Sequence, residues 1–417
     1  MKRFFELSLE STGRYSELLK MRPDYQQSVT FAGNKSEPVY NWFYYKEGFS
    51  RSLVWGLLDE FKVKKDSRVI DPFCGTGTTL LACRHRGYTS VGFDILPLGV
   101  FVSNAKVQTG YNMDVLKESI RLVSSLKFGE SSLRWPDLKF LDMRKVFSRY
   151  ARNDILFFKE RILDVEDEMS RNFLLLGLLS IVGQASNTKK DGGVLKIVKK
   201  RHLAPVRYLL KNRLKRMYKD LSRVQLDGGA EAGAHIGDAR SLELPPGSAD
   251  VCITSPPYLN FVDYAKLYAL ELALLVDTKE YAELRSKSLR SHVGAAYSSK
   301  GSVRSERLSP ILDSISNFDD PVKSPVVVRA YFEDIYASLE SLYPVLSDGG
   351  LAFYVVGNAC LPNLTVDVDL ILAELAEQAG FEVKDIWVAN ARWCDVHGIQ
   401  KQKPVRESIV ILEKPTT

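Results

Sequence analysis

The stretch from Ser67 to Leu96, SRVIDPFCGTGTTLLACRHRGYTSVGFDIL, decides the fold. Val69 and Ile70 make a short apolar strand that stops at Asp71-Pro72. A glycine-rich turn follows, then a helix over Thr78–Arg86 with Gly87 as its stop, then a second strand over Ser90–Ile95. Strand, turn, helix and strand at this spacing form a parallel α/β unit. Gly75 and Gly77 let the backbone bend sharply and approach a ligand with no Cβ in the way. The helix starting at Thr78 points free N–H groups and its positive dipole end into the same space. The turn has no Gly-Lys-Ser/Thr for a nucleotide phosphate and no third glycine for a dinucleotide. Asp94 ends the second strand, where an acidic residue can grip ribose hydroxyls. Asp238, after a strand at Ala234–Ile236, is placed to reach an adenine amino group. The expected pocket is Asp71, Phe73, Gly75, Gly77, Thr78, Asp94, Ile95, Asp238 and Ala239.

Outward from this unit, Leu53, Val54, Leu57, Leu58 and Phe61 share one helical face, with Ser50 as a candidate N-cap. Further strands are expected at Ala249–Thr254 and Leu351–Val356, and FEVKDIWVANARW with ESIVILEK reads as a terminal hairpin. Seven strands with helices between the early ones give one doubly wound α/β sheet. Residues 1–110 form a polar N-terminal arm and the first part of this domain. Residues 111–226 are a helix-rich insertion, and 227–417 complete the domain. The polar, weakly periodic run 277–327 reads as a mobile loop near the site.

The strand Ala249–Thr254 runs into Ser255-Pro256-Pro257-Tyr258. Two prolines directly after a strand hold the backbone extended and remove two N–H donors. The Pro256 carbonyl and the Ser255 hydroxyl are then fixed acceptors. An amino group on an aromatic base is a poor nucleophile because its lone pair is delocalised; two acceptors aimed at its hydrogens favour a pyramidal nitrogen. Tyr258 offers a flat face for an extruded base. With no Pro-Cys dipeptide here, methylation at carbon 5 of cytosine is disfavoured.

These two motifs resemble those of the amino-group DNA methyltransferases: DPFCGTGTT at 71–79 is similar to their cofactor motif and TSPPY at 254–258 to their catalytic motif. The FYYKEGFS segment at 43–50 is similar to the one closing over the methionine end of the cofactor, which implies Lys46, Phe49 and Ser50 as pocket residues. DYAKLYALELALL (263–275) and AFYVVGNA (352–359) also fit the family pattern. The resemblance implies a class I methyltransferase, Rossmann-like mixed sheet, S-adenosylmethionine as cofactor and double-stranded DNA as partner. It further implies a prokaryotic restriction–modification setting with a cognate restriction endonuclease. Ser at the first catalytic position is similar to the cytosine-N4 members, although some adenine-N6 members carry it. Cytosine N4 is the expected target and adenine N6 the alternative. A tRNA guanine-N2 methyltransferase shares the turn and motif order but usually carries an acidic residue in place of Ser255. A non-catalytic binding module is disfavoured by two intact motifs.

Charge points to the same partner. The window Lys189–Arg223 carries thirteen basic residues against Asp191 and Asp220, a balance of +11 in a chain of net +6, so the remainder stands at −5. Arg207, Lys211, Lys215 and Lys219 recur every fourth residue opposite Val206, Leu209, Leu210, Leu214, Met217 and Leu221. Such a stripe can follow a phosphate backbone. Asn187, Lys189, Lys190 and Lys196 sit in or beside a polar stretch suited to base edges, and Arg285, Arg290 and His292 are further candidates. Five scattered cysteines (Cys74, Cys83, Cys252, Cys360, Cys394) and five histidines show no metal-ligand spacing, which implies free thiols and no metal. The charged N-terminus and the lack of a long apolar run imply a cytoplasmic protein with no membrane partner.

Overall fold

The computed structural model describes residues 14–45, 47–226, 229–259, 262–292, 295, 303–316, 324–361, 364–393 and 404–416. Its strands are β1 (Leu19–Met21), β2 (Arg68–Asp71), β3 (Thr89–Asp94), β4 (Thr188–Asp191), β5 (Val194–Ile197) and β6 (Ala232–Ile236), followed by β7 (Ala249–Thr254), β8 (Leu346–Gly357), β9 (Ala359–Leu361), β10 (Leu364–Val366), β11 (Glu382–Trp393) and β12 (Pro404–Glu413). Eight of them form one sheet in the order β1-β11-β12-β8-β7-β2-β3-β6, while β4–β5 and β9–β10 are separate two-stranded ribbons. The strands β6, β3, β2, β7 and β8 run parallel, and β12 lies antiparallel between β8 and β11. The sequence pattern implies seven strands. The eighth, β1, pairs Leu19 with Ile386 and Met21 with Val388, inside what reads as a polar arm. Three residues are too few to show an alternation.

From β2 the chain builds outward to β3 and β6 on one side and to β7 and β8 on the other. The strand order therefore reverses at β2, and the carboxyl ends of β2, β3 and β7 border a crevice there. Adjacent residues on β2 face opposite layers. Val69 packs with Leu53, Val54, Leu57 and Leu58 of the Arg51–Glu60 helix, and Ile70 packs with the Pro325–Val345 and Val368–Gln378 helices.

The insertion contains the helices Met113–Ser125, Arg149–Leu163, Glu168–Ile181 and Val206–Leu221 together with the β4–β5 ribbon. Its Phe173, Leu210, Leu214 and Met217 belong to the same apolar cluster as Leu53 and Val69, so the core runs on without a break. Trp42 pins the two parts together: its ring meets Phe173 edge-on at 5.3 Å and its indole Nε1–H donates to Asp220 at 3.1 Å. The run 277–327, expected to be a structureless loop, instead carries helices at Thr278–Lys287 and Leu308–Ile315. The first has a capping box between Asp277 and Glu280, and the second buries Leu308, Ile311, Leu312 and Ile315, a spacing hidden among its serines. Cys74, Cys83 and Cys252 are free and buried, whereas Cys360 is disulfide-bonded, a pairing that chain spacing does not announce.

Trp42→Ala should lower the unfolding free energy by about 3 kcal/mol, the usual cost of emptying a buried aromatic site. Urea unfolding followed by circular dichroism should show one transition moved to lower denaturant. A separate early transition of the insertion would contradict the shared core.

Candidate active site

Asp71 ends β2 and is buried. Its Oδ2 accepts from the Thr79 hydroxyl at 2.6 Å, and its Oδ1 accepts from the Thr254 hydroxyl at 2.7 Å and from the Phe73 N–H at 3.1 Å. One carboxylate thus joins the first turn of the Thr78–His85 helix to the last residue of β7. The glycine turn and the TSPPY segment, 183 residues apart at this bond, are held at the same edge of the sheet.

The turn itself is gripped from outside by the Pro97–Val107 helix. Ser103 donates to the Gly75 carbonyl at 3.1 Å, and the fully buried Lys106 ammonium donates to the Thr76 carbonyl at 3.1 Å. Gly77 has φ +72, and a Cβ there would lie 2.7 Å from the Ser103 hydroxyl, so both conformation and space demand glycine. Asp94, at the end of β3, accepts from the Gly75 N–H at 3.0 Å and from the Leu96 N–H at 2.8 Å. Each of its oxygens keeps a lone pair.

Beside this turn, the Ser255 hydroxyl donates to the Val355 carbonyl at 3.0 Å. With its hydrogen committed to β8, the oxygen can only accept from a ligand. Pro256 and Pro257 follow it along the wall of the same cleft. The cleft encloses about 1050 Å³ of space including its open mouth. Burial pushes the Asp71 and Asp94 carboxyls up to about 6, and at Asp71 the nearby Asp94 adds to that effect. Strand order, switch-point crevice and glycine turn agree. The fold is that of the class I, S-adenosylmethionine-dependent methyltransferases.

Comparison with known proteins bears on the chemistry. A family model described as D12 class N6 adenine-specific DNA methyltransferase matches residues 51–229, from the first long helix through the glycine turn and the insertion, stopping short of TSPPY. The chain is similar to the type II methyltransferase M.BsoBI of Geobacillus stearothermophilus, 28% identical over 93% of this chain and 88% of that protein. It is 27% identical to M.AvaI of Nostoc sp. over 93% and 89%. With M.MvaI of Kocuria varians it shares 23% identity over 74% of each.

Of the residues expected in the pocket, Phe49, Asp71, Phe73, Gly75, Thr78, Asp94, Ile95, Asp238, Ala239, Ser255, Pro256 and Pro257 line this cleft. Gly77 lies behind the turn against Ser103. Ser50 turns away: its hydroxyl donates to the Ser28 carbonyl at 3.0 Å and does not cap the helix, whose Arg51 N–H is taken by Asn34. Lys46 lies outside the described residues. Asp238 lines the cleft with its carboxylate engaged by the Arg240 guanidinium at 2.6 Å, and Arg240 continues to Asp334 at 3.0 Å. The Tyr258 ring rests on Gly357, with its hydroxyl donating to Glu407 at 3.2 Å, beside the cleft rather than in its lining. Sequence reasoning missed Tyr45, Glu47 and Tyr264 in the lining, and Ser291 and His292 from the presumed loop.

Among the expected DNA contacts, Lys189, Lys196, Arg207, Lys211 and Lys215 are exposed. Lys196 pairs with Asp191 at 3.0 Å, and Asn187 is half-buried, accepting from the Lys200 N–H at 3.4 Å. Lys190 departs from expectation: its ammonium pairs with the buried Glu271 at 2.8 Å, because β4 packs that side chain inward. Arg285 and Arg290 are likewise tied inward, to Asp263 at 2.6 Å and to Asp334 at 2.8 Å.

Burial lowers the Lys106 ammonium from 10.5 to about 7. The unfolded chain therefore binds the extra proton between those values, and the folded protein gains stability as pH rises from about 7 towards 10. Thermal unfolding of Lys106→Met should lack this rise relative to the parent. Equal pH slopes for the two proteins would remove the buried cation from the account.

Proposed function

We propose that this protein is a DNA methyltransferase that moves a methyl group from S-adenosylmethionine to the exocyclic amino group of a flipped base, cytosine N4. The observation carrying this reading is that Ser255 and Pro256 line the same cleft as Gly75 and Asp94. S-adenosylmethionine supplies an electrophilic methyl group on a positively charged sulfur. Asp94 would hold its ribose hydroxyls, Phe49, Phe73 and Ile95 its apolar surface, and Asp238 with Ala239 its adenine.

The Ser255 oxygen, its own hydrogen spent on Val355, and the Pro256 carbonyl accept the two hydrogens of the target amine. Holding both N–H bonds to one side draws the nitrogen towards a pyramidal shape and turns its lone pair to the methyl carbon. With the cofactor bound, the nitrogen–carbon bond would form as the carbon–sulfur bond breaks, the sulfonium leaving as a neutral thioether and the displaced amine proton passing to solvent water. Cytosine N4 is favoured by Ser at position 255. Adenine N6 is the second reading, favoured by the adenine-specific family model over residues 51–229. The basic face of the Val206–Leu221 helix, with exposed Arg207, Lys211 and Lys215, would follow the duplex backbone, and Lys189 and Lys196 would lie nearer the bases. The similarity to type II methyltransferases supports a cognate restriction endonuclease as partner in the cell.

Ser255→Ala should cut methyl transfer to duplex DNA roughly hundredfold or more while cofactor affinity stays within about twofold. Labelled cofactor with duplex DNA and with tRNA, followed by nucleoside analysis, reads both the substrate and the modified base. Transfer to tRNA alone, or a variant as active as the parent, would defeat the reading. Replacing Arg207, Lys211 and Lys215 together by Ala should reduce the salt dependence of duplex binding by about three phosphate contacts.

A further inference from the structure

Lys190 was expected to meet DNA, yet it points into the protein. Besides its pair with Glu271, its ammonium stands 3.6 Å from the centre of the Tyr268 ring. Tyr268 is fully buried and stacks on Tyr45 at 4.8 Å with the planes 14° apart. Tyr45 stacks in turn with Tyr264 at 6.2 Å and 18°. Tyr45 and Tyr264 both line the cleft, and the Tyr45 ring edge lies 3.3 Å from where a Gly75 Cβ would be. An unbroken column therefore runs from the inserted β4–β5 ribbon to the wall facing the glycine turn. A second contact holds the ribbon in register: Gly193 abuts Val262, four residues after Tyr258, where a Cβ would collide.

We propose that Lys190 is a positioning residue for the transfer reaction, holding Tyr268 and, through it, the Tyr45–Tyr264 wall against the cofactor turn. Lys190 itself does not line the cleft, so it acts through the rings. A cation over a desolvated ring is attracted by the ring's negative face, and Glu271 fixes the cation there. Removing the cation takes away the contact on one face of Tyr268 and so weakens the support of the wall above Gly75. The inference deepens the proposed function, on which only its DNA arm rests.

The test is Lys190→Met, which keeps the length and apolar stem of the side chain. Calorimetric titration with S-adenosylmethionine in the absence of DNA should show Kd raised about tenfold, the scale of a desolvated cation–ring contact. Lys190→Arg should restore it to within about threefold. The salt dependence of duplex binding should be the same for parent and Lys190→Met, because no phosphate contact has been lost. An unchanged cofactor Kd would overturn the proposal, and a salt slope reduced by about one would return Lys190 to the DNA surface. If Lys190→Met fails to fold, Glu271→Gln takes its place: a raised cofactor Kd supports the column and an unchanged one rejects it. Should the parent methylate no nucleic acid, the proposed function fails, and the cofactor titration still decides on Lys190.

Discussion

The Asp71 carboxylate is the joint on which the rest of the site depends. It reaches Thr79 on one side and Thr254 on the other while accepting the Phe73 N–H, so three of its acceptor positions are spent on the protein. Burial makes the ionised form costly, and those three donors are what hold it in place. Without this joint, two segments from distant parts of the chain would each be well formed and yet share no cleft. The turn has its own support from Ser103 and Lys106, one helical turn apart, which hold the carbonyls of Gly75 and Thr76. Aligning Ser255 and Pro256 with the glycine turn is thus a matter of backbone placement by buried polar bonds.

Much of this was legible because it is local. The unit 67–96 declares strand, turn, helix and strand within thirty residues, and the structure places β2, the Thr78–His85 helix and β3 there. Ser255-Pro256 announces itself by the stiffness of paired prolines. What escaped depends on partners far along the chain. β1 has three residues, and only pairing with β11 makes it a strand. Ser50 stands at a helix start, where a serine hydroxyl usually caps; the Ser28 carbonyl takes that hydroxyl instead. The tyrosines at 264 and 268 are spaced to share a helix face, but nothing local shows that Tyr45 comes to stack with both rings. A lysine in a basic window carries no mark of facing inward, and only Glu271, 81 residues away, decides it for Lys190.

The pocket wall has two origins. Phe49, Asp71, Asp94 and Ser255 belong to the sheet edge and the segment leading into it, while Ser291 and His292 come from the stretch after the capping-box helix Thr278–Lys287. That stretch is anchored by Arg290, whose guanidinium grips Asp334 on the long Pro325–Val345 helix, and Asp334 also holds Arg240. Arg240 grips Asp238 in turn, so this end of the cleft is built as one charged lattice rather than from independent side chains.

The unbroken core between the insertion and the main sheet bears on how independently the two parts can change. With Phe173, Leu214 and Met217 sharing one apolar interior with Leu53 and Val69, the insertion is no detachable cassette. Swapping it whole between relatives would uncover that interior and orphan Trp42 from Asp220. The insertion therefore tolerates piecemeal surface changes on the ribbon and the Val206–Leu221 helix, over a scaffold that stays in place.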